Sequence, residues 1–110
     1  MLLLFITLAF SQPAPELVAG DYRVKHGYGG YYNARIDRGQ LVMRGNGWTG
    51  VGTKQRGGIY TVTWVRNSGD YPPLSSIYRL TNPRRIDGYE INEYGAQDQT
   101  FELIEPRITK

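Results

Sequence analysis

A chain of 110 residues with one histidine, His26, and no cysteine has few ways to build an activated nucleophile. A Ser-His-Asp triad would have to be assembled around His26, whose neighbours Lys25 and Gly27 put it at the end of a strand. Thiolate chemistry and a multi-histidine metal site are excluded by composition. Asp87, Glu90 and Glu93 are close enough in sequence to suggest paired carboxylates of the glycosidase kind. On a strand, however, Glu90 and Glu93 point to opposite faces, so these acids read as solvated groups at a sheet surface. Gly45-Asn46-Gly47-Trp48-Thr49-Gly50 matches the G-x-G-x-x-G of a dinucleotide site letter for letter. That fingerprint needs a helix whose N-terminus meets the pyrophosphate, whereas Val51 to Lys54 continue as strand; the glycines read as hairpin and bulge positions. No calcium-loop pattern and no RNA-binding aromatic signature of the right spacing is present. No catalytic residue, metal or cofactor is expected, and the chain reads as non-enzymatic.

What remains for chemistry is aromatic and basic. Nine tyrosines, three phenylalanines and two tryptophans accompany 14 glycines, the composition of a β-rich binding module. Thirteen Lys and Arg against ten Asp and Glu give a net charge of +3, too mild for charge-driven binding of nucleic acid. All the cations except Lys25, Lys54 and Lys110 are arginine, which suits two-pronged capture of carboxylate, sulfate or phosphate. At 40% hydrophobic and 21% charged residues the chain is ordinary globular material, enough for one domain with one modest core.

The elements that position these side chains begin after an apolar start. Leu2 to Ile6 and Leu8 to Phe10 carry no charge, and Ala9 and Ser11 supply small residues ahead of Gln12. The pattern reads as a signal peptide over 1–11 and an extended leader over 12–20, implying a secreted or periplasmic protein. The run is far short of the roughly 20 residues a helix needs to span a bilayer, so no transmembrane segment is expected. From Asp21 onward short alternating runs are cut by Gly, Asn, Asp and Pro, which predicts eight strands near 21–26, 31–37, 40–45, 48–54, 59–66, 75–81, 86–94 and 99–105. The clearest is 59–66, where Tyr60, Val62 and Trp64 share one face that should point inward. Joined in order by short turns, such strands form an eight-stranded up-and-down antiparallel barrel over 21–106, followed by a tail at 107–110. Eight is the strand number at which a barrel interior is either just filled by side chains or holds one small ligand.

Up-and-down topology sorts the turns between two ends. One end collects Arg38, Lys54, Arg56, Arg84 and Arg85 together with Arg107 and Lys110 of the tail. The other collects Tyr28, Trp48, Tyr71 and Tyr94 beside glycines, with no Lys or Arg inside the turns themselves. A barrel polarised into a basic end and an aromatic end is expected.

Gly50-Val51-Gly52, then Gly58 to Trp64, the run Ile77-Tyr78-Arg79-Leu80, Asp87-Gly88-Tyr89 and Glu102 to Pro106 resemble, in order and spacing, a family of small exported bacterial proteins. Tyr22-Arg23-Val24 and Gly30-Tyr31-Tyr32 resemble the start of that family, so the similarity covers roughly residues 21–106. Those proteins look like lipocalin or avidin-type barrels and are often labelled fibronectin-binding. The chain departs from the family at His26 to Gly30, at Tyr89 and Ile91, and in a longer Asn92 to Thr100 segment, all at the aromatic end. The resemblance implies a calycin-like barrel whose aromatic-end loops surround a mouth.

Two functions follow. In the first, a small or extended ligand sits at the aromatic mouth against Tyr28, Tyr31, Trp48, Tyr71 and Tyr94, with Trp64 as its floor. In the second, a filled barrel uses the basic end, with Arg38, Lys54, Arg56, Arg84 and Arg85, to bind an extracellular protein such as a host matrix protein, a polyanion or a target enzyme. A monomer is expected in either case.

Overall fold

The computed structural model describes residues 16–27 and 29–104. The signal segment expected at 1–11, residues 12–15 of the leader, Tyr28 and the tail at 107–110 lie outside the described residues. Eight strands form a closed barrel in which each pairs antiparallel with its sequence neighbour and the last pairs with the first. They are β1 (Gly20–His26), β2 (Tyr31–Asp37), β3 (Gln40–Gly45), β4 (Trp48–Lys54), β5 (Ile59–Arg66), β6 (Leu74–Asn82), β7 (Arg85–Asn92) and β8 (Gly95–Leu103). No helix among the described residues is long and apolar enough to cross a membrane.

Period-two patterning sets the faces. On β5 the side chains of Tyr60, Val62 and Trp64 are buried while Thr61, Thr63 and Val65 are exposed, as their alternation requires. The tight hairpins at Arg38-Gly39 (φ 53° and 80°) and Asn46-Gly47 (φ 52° and 81°) place both turn residues in the left-handed region. That is the turn form whose twist matches that of the flanking strands.

The last hairpin differs from the expectation. The strand expected to run to residue 94 ends at Asn92, and β8 starts at Gly95 rather than 99, with Asn92 opposite Gly95. The Asn92 side chain accepts the Tyr94 N–H at 2.8 Å, a local Asx turn that closes the hairpin over two residues. Ala96 to Asp98 are exposed strand residues, and their polar composition is what makes them read as loop.

The half of the barrel nearer the β2–β3, β4–β5 and β6–β7 turns is solid. Tyr22, Leu41, Met43, Tyr60, Val62 and Ile86 pack there with Leu17 from the segment preceding β1. That segment caps the basic end: the Val18 N–H donates to the Pro83 carbonyl at 2.8 Å and the Tyr22 hydroxyl donates to the Val18 carbonyl at 2.6 Å.

Two of the large interior rings, Trp64 and Tyr78, lie opposite a glycine on a neighbouring strand. A Cβ on Gly88 would lie 1.9 Å from the Ile77 carbonyl oxygen and 2.7 Å from the Tyr78 ring. A Cβ on Gly50 would lie 2.8 Å from the Trp64 indole. Gly50 sits in a strand interior, not in the hairpin or bulge that the spacing suggests, Gly88 lies within the strand expected there, and both make space for aromatic rings.

On the outside, a polar ladder crosses the seam where the barrel closes. Lys25 of β1 pairs with Glu102 of β8 at 3.4 Å, Glu102 with Arg85 of β7 at 3.3 Å, and Arg85 with Asp87 at 3.0 Å. Asp87 also accepts the hydroxyls of Thr81 on β6 and Thr100 on β8. Burial works against the Asp87 charge, but the bonds from Thr81, Arg85 and Thr100 together outweigh it and hold the carboxyl below its ordinary range.

Two outcomes follow from this packing. Gly88→Ala is expected to lower the free energy of unfolding by about 3 kcal/mol, because backbone rather than a flexible side chain blocks the methyl; a urea midpoint within error of the parent would contradict that packing. The second concerns alkali. Burial pushes the Tyr22 hydroxyl from 10.0 up to about 12, against the nearby charge of Arg84. A proton that the fold keeps and the unfolded chain releases stabilises the fold fully below pH 10 and stops doing so as pH rises through about 12. The urea midpoint should therefore fall across that interval, with a shallower fall in Tyr22→Phe.

Candidate functional site

Trp64 stands at the boundary between the solid half of the barrel and the open half. Gly50 on β4 leaves room for its indole, and the indole N–H donates to Ser76 Oγ at 3.0 Å, with the Tyr78 hydroxyl 3.3 Å away. The Tyr78 hydroxyl in turn donates to Gln99 Oε1 at 2.5 Å. Every member of this chain is buried, so each polar atom must be bonded within the protein, and the chain holds the indole in one orientation. Burial is the main reason the Tyr78 hydroxyl is pushed well above the usual phenol range; hydrogen bonds with Ser76 and Trp64 oppose the shift, and the negative charge of Glu90 adds to it.

Above Trp64 the barrel opens into a cup of about 280 Å³ at the aromatic end. Tyr32 stands edge-on to Trp64 (centroids 5.4 Å, 68°) and to Phe101 (5.6 Å, 90°), so three rings line its wall in edge-to-face contacts. Asn46 in the β3–β4 turn donates to the Tyr32 hydroxyl at 3.3 Å and to the Gly29 carbonyl at 3.1 Å, tying two turns of the mouth together. Burial raises the Tyr32 hydroxyl above its ordinary range, the Asn46 bond opposes that, and the Glu90 charge adds to it. Leu74, Gln99 and Glu90 complete the wall.

The rim is a second cluster. Trp48 at the start of β4 and Tyr71 in the β5–β6 loop lie with centroids 5.9 Å apart. The Arg66 guanidinium sits 5.8 Å and 5.7 Å from the two ring centres. Arg66 Nε reaches Asp70 Oδ1 at 3.1 Å, and Asp70 also accepts the Ser68 hydroxyl. The Ser68 bond, with a smaller share from the Arg66 charge, holds the Asp70 carboxyl below its usual range. The loop itself is fixed to the next hairpin, since Asn67 N–H donates to the Gly47 carbonyl at 2.8 Å and Thr49 donates to the Asn67 side chain at 2.8 Å.

Of the residues expected at the mouth, Trp48, Trp64 and Tyr71 line the cup. Tyr31 is 60% exposed and faces outward; its neighbour Tyr32 carries the inward phase shared with Ala34 and Ile36. Tyr94 is 91% exposed on the β7–β8 turn and lines an adjoining groove that shares Tyr71, Leu74 and Glu90 with the cup. Tyr28 lies outside the described residues.

Glu90 does not lie on the sheet surface, where the spacing of the acids places it. It follows Ile86 and Gly88 on the inner face of β7, is 5% exposed, and accepts the Asn92 side-chain N–H at 3.3 Å. The aromatic end also has a cation that a survey of the turns misses, because Arg66 is the last residue of β5, in phase with Trp64. Arg38, Lys54, Arg56 and Arg84 are exposed at the capped end, whereas Arg85 belongs to the ladder with Asp87 and Glu102. His26 is exposed at the end of β1. Among the described residues no group of three or more His, Cys, Asp and Glu is placed to hold a metal ion.

Replacing the indole N–H while keeping a ring tests the boundary. Trp64→Phe leaves the buried chain short of one donor and is expected to cost about 2 kcal/mol, read as a lower urea midpoint; no change would mean that the chain does not hold the boundary. No family model, curated protein or solved structure matches this chain.

Proposed function

We propose that this protein is an exported, non-catalytic binding barrel that holds a small ligand in the cup at its aromatic end. The observation that carries this reading is the half-filled interior. Below Trp64 the barrel is packed, and above it about 280 Å³ is lined by rings with Glu90, Gln99 and Arg66 among them. That is near the lower limit of ligand sites, roughly 300 Å³, and combines apolar walls with a few fixed polar groups. The aromatic walls bear on Trp48 and Trp64, so occupancy has an optical readout. Export is supported by the apolar run Leu2 to Phe10 and the small residues Ala9 and Ser11. Kinship with the small exported lipocalin- and avidin-like barrels belongs to the same proposal, supported by the closed eight-stranded topology.

The cup is favoured over the basic end because it is a recess inside the barrel walled by aromatic rings, with fixed polar groups among them. At the basic end Leu17 and Val18 cap the barrel, and Arg85 is engaged on the outer seam.

Small monocyclic aromatic compounds of each charge type, titrated while tryptophan emission is followed, should include at least one that binds. Tyr71→Ala should weaken that compound about tenfold through loss of one ring contact, and Lys54→Glu with Arg56→Glu should leave it unchanged. Equal binding by Tyr71→Ala, or loss on reversing the two basic-end charges, would contradict the proposal.

A further inference from the structure

The charges around the cup are arranged by depth. The carboxylate of Glu90 is buried in the wall, 5% exposed, on the same inner face of β7 as Gly88. The cation Arg66 is at the rim, and its charge is already matched by Asp70 at 3.1 Å. The Glu90 charge is felt across the cup at the Tyr32 and Tyr78 hydroxyls, where it disfavours a second negative charge. The rings add to the same sign, because the face of an aromatic ring is the negative pole of its quadrupole. The molecule itself shows the preference: the guanidinium of Arg66 rests over Trp48 and Tyr71 at 5.8 Å and 5.7 Å.

Resting on the reading of the cup as a ligand site, we propose that its ligand is a primary amine in its ammonium form, carried on a small aromatic or aliphatic body. The ammonium is directed to Glu90 and the body packs among Tyr32, Trp64, Trp48 and Tyr71. An ammonium brings three donors and no acceptor, which matches the acceptor-only carboxylate of Glu90. A carboxylate or phosphate ligand would have to shed water beside a buried like charge, and the arginine that could meet it is at the rim and paired. A neutral body of the same shape gains the ring contacts but leaves the carboxylate to exchange its surroundings for an uncharged group, so it binds more weakly.

Three probes of nearly equal size separate these cases: 2-phenylethylamine, 2-phenylethanol and 3-phenylpropionate, titrated into the full chain near neutral pH with tryptophan emission as the signal. The amine should bind about tenfold more tightly than the alcohol, with the carboxylate weakest. Glu90→Gln should bring the amine to within about twofold of the alcohol while leaving the alcohol unchanged; the ranking on the unmodified protein decides the matter if that variant does not fold. Binding of the carboxylate or alcohol at least as tightly as the amine would overturn the ligand class and leave the cup as a binding site. Failure of all three to bind would remove both readings.

Discussion

The indole of Trp64 has to satisfy two demands at once: the ring needs room, which a glycine on the neighbouring strand provides, and its buried N–H must find an acceptor within the protein. Gly50 meets the first, and Ser76 with Tyr78 meets the second. An unbonded N–H there would cost about 1–3 kcal/mol, so the ring has one orientation, and that orientation divides the barrel. On one side Val62, Tyr60 and Tyr22 pack solidly; on the other Tyr32, Phe101 and Trp48 stand around open space. A barrel of eight strands is poised between a filled interior and a ligand cavity, and this chain is filled at one end and hollow at the other.

The same division explains why the two ends differ in character. The capped end is finished by Leu17 and by the tie between Val18 and Pro83, so its arginines and lysine project from a closed surface. The open end is finished by side chains that hold one another: Asn46 bridges Tyr32 and Gly29, and Arg66 lies against Trp48 and Tyr71 and reaches Asp70. A rim tied in this way holds the recess in one shape, and for the proposed ligand that would reduce the ordering cost of binding. The outer ladder from Lys25 to Asp87 contributes differently. It crosses the seam between β1 and β8 and links β6 to β8, and its solvent-screened pairs each contribute little to stability.

Much of this was legible in the sequence. Alternation in Ile59 to Arg66 and the turn residues Asp37 to Gly39 and Gly45 to Gly47 placed six strands nearly at their observed limits, and topology then sorted the turns to their ends. The hairpin after Asn92 was not legible, because near the mouth β8 carries Gln97, Asp98 and Gln99 in place of apolar alternation, and a polar strand reads as a loop. Tyr31 and Tyr32 differ only in phase, which the buried Ala34 decides two residues later. Glu90 was misplaced for a related reason. A carboxylate on an inner face breaks the polar-out rule, and such breaks fall where a protein keeps a site. Gly50 and Gly88 were hidden because the need for a bare backbone arises from the ring on the adjacent strand, a contact known only once the register is known.

The location of the site is the central claim, and chemical-shift mapping of the 15N-labelled protein tests it most directly. On titration with 2-phenylethylamine, the indole N–H signals of Trp48 and Trp64, the Gln99 side-chain amide and the backbone amides of the β5–β6 loop should shift together. Leu41, Tyr60 and the amides around Arg56 should stay in place. Shifts centred on the β4–β5 and β6–β7 turns, or spread evenly over the barrel, would contradict a preformed cup above Trp64.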